Sequence, residues 1–189
     1  MKNFFLRIGG KFQNFMARLA TRVGVREVAD ATQITPQLWT GGAITSEDDV
    51  AYLAKVGITA DVDCRLEYDD VSVIDAFNNL PNAAGAIKAN PKIAYLYNGV
   101  ADDGIPKPVS WFQRTWDFSE PILQSGGVVL CHCASGINRG PSSTYFLMRA
   151  YSKMSGDEAF ALLQQKRPIV EVRYRKDADE AIIALGLGK

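Results

Sequence analysis

Hydrophobic positions near the start of the chain follow a helical period, with one apolar residue every three or four positions. The members of this stripe are Phe5, Ile8, Phe12, Phe15, Leu19 and Val23. Such spacing predicts an amphipathic helix. We therefore divide the chain into an N-terminal arm, residues 1–32, and a second region, residues 33–189. The apolar face of the arm could dock on the second region, lie on an anionic membrane, or belong to an organelle-targeting presequence.

Beyond Pro36 the pattern changes to short apolar runs that alternate with helical periods, which predicts an α/β domain with helices packed on a central sheet. The run Val128 to Cys131 is apolar on both faces, as expected for a central strand covered on each side. The other predicted strands are 38–39, 58–64 and 93–97, and the predicted helices are 47–56, 71–77, 109–123, a long one beyond 141, one opened by a capping box at 155–158, and 176–185.

Composition narrows the class of protein. The 189 residues are 47% hydrophobic and 22% charged, which is typical of a globular domain rather than a disordered or fibrous chain. The net charge is +0, but residues 1–26 hold six basic and no acidic side chains, leaving 15 basic against 21 acidic elsewhere. Three cysteines do not make a disulfide framework, and no apolar stretch approaches the ~20 residues of a membrane span. We expect a cytoplasmic protein, with contact to an anionic membrane through residues 1–26 as an open alternative.

A cysteine followed six positions later by an arginine marks the candidate chemistry. Only Cys133 has this spacing, since Asp70 stands six beyond Cys64 and Ile137 six beyond Cys131. The segment from Cys133 to Arg139 lies between a buried strand and a predicted helix, where loop amides and the helix dipole favour an anion and a thiolate.

These residues carry a resemblance. The segment His-Cys-Ala-Ser-Gly-Ile-Asn-Arg, 132–139, resembles the phosphate loop of the cysteine-dependent tyrosine and dual-specificity phosphatases, and 34–42 and 53–59 resemble the opening of their small domains. The resemblance implies a central mixed sheet flanked by helices and a phosphomonoester hydrolase that needs no cofactor or metal. Its substrate would be a phosphorylated protein.

The same resemblance implies roles for individual residues. Cys133 would attack phosphorus and become phosphocysteine, Arg139 would clamp the phosphoryl oxygens, and Asp102 would donate the proton, with Asp103 as the alternative acid. His132 is expected to organise the loop. The loop residues expected to hold the phosphate are Ala134, Ser135, Gly136, Ile137 and Asn138.

Two departures from that family keep other functions open. Gly140 stands where a hydroxyl residue usually follows the arginine, so either Ser142 or Ser143 substitutes for it or the chain is a phosphate-binding pseudophosphatase. Asn138 before Arg139 is similar to RNA 5′-triphosphatases of the same superfamily, which makes an RNA 5′ end the alternative substrate.

Three further groups of residues have both a functional and a structural interpretation. Cys64 is in the place of a partner cysteine that forms a reversible disulfide with the nucleophile in some relatives, although a core position also explains it. A zinc site made of Cys64, Cys131, His132 and Cys133 is not expected, because adjacent strand residues point to opposite faces. A basic cluster could rim an anionic cleft or form a solvated face; its members are Arg167, Arg173, Arg175 and Lys176.

Overall fold

A five-stranded mixed sheet forms the centre of the protein in this computed structural model, which describes residues 29–78 and 92–188. The strands are β1 (Ala31–Gln33), β2 (Leu38–Gly41), β3 (Ala60–Asp63), β4 (Ala94–Tyr97) and β5 (Val129–His132). Their order across the sheet is β1-β2-β5-β3-β4, and only the β1–β2 pair is antiparallel. The predicted α/β architecture with a mixed sheet is confirmed, and β5 is the central strand.

Six helices of the described part cover the sheet: α1 (Glu47–Lys55), α2 (Val71–Asn78), α3 (Val109–Gln124), α4 (Arg139–Ala150), α5 (Gly156–Lys166) and α6 (Arg175–Ala184). Two of the predicted helix starts are confirmed by their caps. Ser46 accepts a hydrogen bond from the Asp49 amide, and Ser155 and Glu158 form a capping box at α5.

Alternation along the strands separates two cores on opposite faces of the sheet. One contains Val129 and Cys131 together with residues of α3, α4, α5 and α6. The other contains Leu130 together with residues of α1 and α2. Because β5 supplies side chains to both cores, its last residues present neighbouring side chains to different environments.

Described residues before the predicted boundary at residue 33 already take part in the sheet and its contacts. Strand β1 begins at Ala31, Ala29 is buried, and Asp30 binds a buried arginine. The amphipathic helix predicted within residues 1–26 lies outside the described residues and stays a prediction. No helix in the described ranges is long and apolar enough to cross a membrane.

Candidate active site

The loop that follows β5 is fastened to the neighbouring strand β2 and the residues after it. Its first amide, that of Cys133, donates to the carbonyl oxygen of Gly41 at 3.2 Å, and the amide of Ala43 donates to the carbonyl of Ala134 at 3.3 Å. Arg139 begins α4 at the end of the same loop. The loop therefore curls between the end of a central strand and a helix N-terminus, where amides and the helix dipole attract anions.

Glycine is required at the middle of this loop. Gly136 has a φ of +62°, and a Cβ there would lie 2.6 Å from the carbonyl carbon of Gly41. Both the backbone conformation and the close approach of β2 exclude a side chain. Gly136 thus allows the loop to curl tightly against the end of the sheet.

A buried arginine supports the loop from behind. The guanidinium of Arg167 donates through Nε to the Gly136 carbonyl at 2.9 Å, and its Nη1 and Nη2 reach the two oxygens of Asp30 at 2.8 and 2.9 Å. Arg167 is only 6% exposed. The expectation that it rims the cleft or forms a solvated face was therefore wrong, because its donors are used by the loop and by the residue before β1.

The remaining members of the basic cluster lie nearer the surface. Arg173 pairs with Glu171, Arg175 with Asp157 at 2.7 Å, and Lys176 lies 3.6 Å from Glu180 on the same helix. Arg173 and Lys176 are exposed, as the solvated-face interpretation expects, whereas Arg175 is half-buried over the rings of Tyr145 and Phe160.

Arg139 is oriented by a carboxylate on the loop after β3. Its Nη1 and Nη2 donate to Oε2 and Oε1 of Glu67 at 2.9 and 3.0 Å, and Nη1 also donates to the Val100 carbonyl. These bonds lower the pKa of Glu67 to about 2. The Nε of Arg139 is buried without a hydrogen-bond partner among the described residues. A guanidinium has two edges that can hold two oxygens each, so Glu67 occupies one and leaves the Nε edge for another anion.

Asp102 lies beside that second edge, whereas Asp103 turns away. One Asp102 oxygen is 3.9 Å from Arg139 Nε, and the other accepts from the Tyr174 hydroxyl at 3.1 Å. Asp103 pairs with Lys107 at 2.6 Å, which lowers its pKa. Of the two candidate acids, Asp102 is the one held close to Arg139.

The side chain of Asn138 connects Asp102 to the segment before α6. Its Nδ2 donates to Asp102 Oδ1 at 2.5 Å, and its Oδ1 accepts from the amide of Arg173 at 2.7 Å. Asn138 therefore has a local structural role that does not depend on an RNA substrate.

His132 lies on the other face of the sheet from the loop. Its Nε2 faces Asp70 Oδ2 at 3.2 Å and Asp61 Oδ1 at 3.3 Å, and neither ring nitrogen has a hydrogen-bond partner among the described residues. Burial would lower the pKa of His132, but the charges of Asp61, Asp70 and Asp63 raise it well above its ordinary value. The ring thus faces this acidic cluster, and the expectation that His132 organises the loop stays a prediction.

Cys64, Ser142 and Ser143, the residues considered for redox and hydroxyl roles, are all fully buried. Cys64 Sγ is 3.3 Å from Ser143 Oγ, in a hydrogen bond that either group could donate, and burial raises the pKa of the Cys64 thiol. Ser142 Oγ is buried and has no hydrogen-bond partner in the described part of the chain. Ser143 is thus engaged by Cys64, whereas the role of Ser142 in place of the missing hydroxyl at Gly140 stays a prediction.

Comparison with known proteins decides the family. The model described as dual specificity phosphatase, catalytic domain, matches residues 42–176, a span that includes the whole loop from Cys133 to Arg139. The chain belongs to the dual specificity phosphatase family.

The sequence identity of the chain to individual relatives and to solved structures of the same fold is low. The tyrosine-protein phosphatase vhp-1 of Caenorhabditis elegans is 24% identical over 143 residues, which are 76% of this chain and 19% of that protein. The crystal structure of human DUSP28 has a TM-score of 0.59 at 19% identity, covering 83% of this chain and 95% of that one. PTPMT1, crystallised with PI(5)P, has a TM-score of 0.61 at 12% identity, covering 82% and 99%. At these identities the two structures establish the shared fold.

Three residues of this dual specificity phosphatase domain were not identified as site residues from the sequence. Asp61 and Asp70 face His132 and Glu67 binds Arg139, and each of the three acids lies more than 60 positions before its partner. A sequence signal for buried charge was present in the segment Asp-Val-Asp-Cys-Arg-Leu-Glu, 61–67, because charged residues at alternate positions of a predicted buried strand require partners. Their partners could not be assigned without the pairing of β3 with β5.

Proposed function

We propose that this domain hydrolyses phosphomonoesters through a phosphocysteine intermediate, with phosphotyrosine, phosphoserine or phosphothreonine proteins as substrates. The proposal is supported above all by one arrangement: Asp102 is held beside the Nε edge of Arg139, at the end of the loop that Cys133 opens. A nucleophile, an anion clamp and a proton donor are the groups that phosphoryl transfer to a thiolate requires.

In the first proposed step, Cys133 Sγ attacks phosphorus while the bond from phosphorus to the ester oxygen breaks. Protonated Asp102 gives its proton to the departing oxygen, so the alcohol or phenol leaves neutral. Arg139 and the loop amides stabilise the charge on the transferring oxygens. In the second step Asp102 accepts a proton from water as water attacks phosphorus, which releases phosphate and the Cys133 thiolate.

The surroundings of the loop favour a protein substrate. The variable loop positions Ala134, Ser135 and Ile137 carry no charge, so they offer no cations to further phosphates of a polyanionic lipid. The large apolar side chains of Leu66 and Ile105 are 56% and 63% exposed, one next to Glu67 and the other close to Asp102 in sequence. Exposed apolar groups of this kind suit the side chains around a phosphorylated residue.

The other activities that the sequence left open are less well supported. Asn138, the residue that suggested an RNA 5′-triphosphatase, binds Asp102 and the backbone of Arg173. A phosphate-binding pseudophosphatase would follow if the missing hydroxyl at Gly140 prevented breakdown of the phosphocysteine. Contact of residues 1–26 with an anionic membrane stays a prediction.

Hydrolysis of an aryl phosphate tests the proposal directly. We expect turnover by the wild-type chain, none by Cys133→Ser, and a phosphorylated Cys133 when the wild type is quenched in acid during turnover. Absence of turnover together with phosphate binding would instead support the pseudophosphatase. A panel of phosphotyrosine and phosphoserine peptides, triphosphate-ended RNA and phosphoinositide vesicles then identifies the substrate class. Preference for γ-phosphate release from RNA would refute the proposed substrate, but not the thiolate mechanism.

A further inference from the structure

A group of buried polar atoms behind the phosphate loop has no well-aligned hydrogen bond within the described residues, although Nε2 of His132 lies at ion-pair distance from two carboxylate oxygens of the group. It comprises both carboxylate oxygens of Asp61, Oδ2 of Asp70 and Nε2 of His132. All three residues are at most 2% exposed. Burying a polar group without a well-formed hydrogen bond destabilises the fold, and more so when the group is charged, so several at one place require an explanation.

We propose that Asp61, Asp70 and His132 bind one divalent cation, of which Zn²⁺ fits the donor set best. This site would be structural and separate from the reaction at Cys133. Its donors are carboxylate and imidazole, unlike the cysteine-based zinc site considered and rejected from the sequence.

The positions of the donor atoms suit an ion. Nε2 of His132 is 3.3 Å from Asp61 Oδ1 and 3.2 Å from Asp70 Oδ2, and one ligand atom from each residue lies within 4.8 Å of the others. Donor atoms bound at about 2.1 Å to one ion are roughly 3.0–3.4 Å apart at angles between 90° and 109°. The three residues supply one donor atom each, which leaves one position of a four-coordinate zinc ion for a further ligand such as water.

Charge compensation also favours a divalent ion. Asp63 is already neutralised, because it accepts from Arg65 Nε and Nη2 and from the Tyr95 hydroxyl. The same guanidinium contacts the other oxygen of Asp70. Three carboxylates and one guanidinium leave a net charge of −2 in a region closed to water. One divalent cation brings this to zero with His132 neutral; without an ion, one proton on His132 leaves −1, and a second proton on Asp61 would be needed to reach zero.

The proposed ion would join three segments that position the active site. Asp61 is on β3, His132 ends β5 directly before Cys133, and Asp70 lies on the loop that also carries Glu67, the partner of Arg139. Metal binding would therefore hold the Glu67 loop against the central strand. Its effect should appear as stability of the fold, independent of turnover.

The test uses the full chain with Cys133→Ser, so that the nucleophile cannot bind the probe ion. After removal of metals with a chelator, we expect one equivalent of Zn²⁺ to bind in calorimetry and to raise Tm. Co²⁺ should give an absorption spectrum without the thiolate charge-transfer band that binding at Cys64 or Cys131 would cause. Asp61→Asn and Asp70→Asn should each weaken Zn²⁺ binding at least tenfold, whereas Asp117→Asn, on the exposed side of α3, should not.

Several results would overturn the proposal. They are no stoichiometric binding to the metal-depleted chain, a thiolate band with Co²⁺, or unchanged affinity in both Asp61→Asn and Asp70→Asn. If one of these variants fails to fold, the other variant and the Co²⁺ spectrum of the unsubstituted cluster still decide the matter.

Discussion

Gly140 provides the sharpest test of how this active site is built, because its lack of a hydroxyl has a steric reason. A Cβ at this position would lie 2.8 Å from His132 Cα, 2.9 Å from the Cys131 carbonyl oxygen and 2.9 Å from the His132 carbonyl carbon. All three atoms belong to the backbone of β5 and cannot rotate away. Helix α4 would have to move by about 0.7 Å to reach ordinary van der Waals contact, near 3.5 Å.

We expect Gly140→Ser to destabilise the protein even though it restores the hydroxyl usual for the family. Overpacking of this kind costs about 1–3 kcal/mol, and the gain from replacing glycine in a helix is at most about 1 kcal/mol. A net loss of about 2 kcal/mol lowers Tm by roughly 4–8 °C in a domain of this size. Thermal and urea denaturation measure the change.

Gly140→Ala is the matched control, because it adds the same Cβ without the hydroxyl. Both variants should lose similar stability, and both should lose aryl phosphatase activity because Arg139 moves with α4. The reasoning is refuted if Gly140→Ser keeps the wild-type Tm. Faster breakdown of the phosphocysteine in Gly140→Ser than in Gly140→Ala would show that the hydroxyl, rather than the close packing, decides the outcome.

Three further predictions concern the proposed catalytic groups. Ser142→Ala should slow breakdown of the phosphocysteine about tenfold, since a hydrogen bond to a charged group contributes about 1.5 kcal/mol or more. Ser143→Ala should leave this rate unchanged. Burst kinetics with an aryl phosphate measure the breakdown rate in both variants. Asp102→Asn should lower kcat about 10²-fold and Asp103→Asn less than twofold, and equal effects in steady-state assays would contradict the assignment. Glu67→Gln should lower kcat/KM about tenfold. Because the pKa of Glu67 is lowered to about 2, the contribution of its carboxylate to the stability of the fold should be complete above about pH 5 and lost as the pH falls toward 2. Urea denaturation of the wild type and of Glu67→Gln at each pH measures this contribution.

The central part of the fold and site could be predicted because its signals are local in sequence. The apolar run 128–131 identified a central strand, and the spacing of Cys133 and Arg139 after it identified the loop, since strand, loop and helix follow one another directly. Asp102 was preferred through the family resemblance, and the structure holds it beside Arg139.

The residues that support the loop could not be predicted in the same way. The role of Arg167 depends on the start of β1 lying beside the end of α5, which brings Asp30 to within 2.8 Å of an arginine 137 positions later. The role of Glu67 depends on β3 lying next to β5, so that the loop after β3 passes over the first turn of α4. Both contacts require the strand order, which hydrophobic periodicity does not encode.

The position of His132 shows how strand alternation separates two functions within two residues. Cys133 belongs to the core shared with α3 and α4, whereas the His132 ring lies among Asp61, Asp63 and Asp70 near the opposite core. A histidine directly before a nucleophile therefore need not act on it. Asp70 of this cluster lies three positions after Glu67, so the acidic cluster and the partner of Arg139 draw on one short loop.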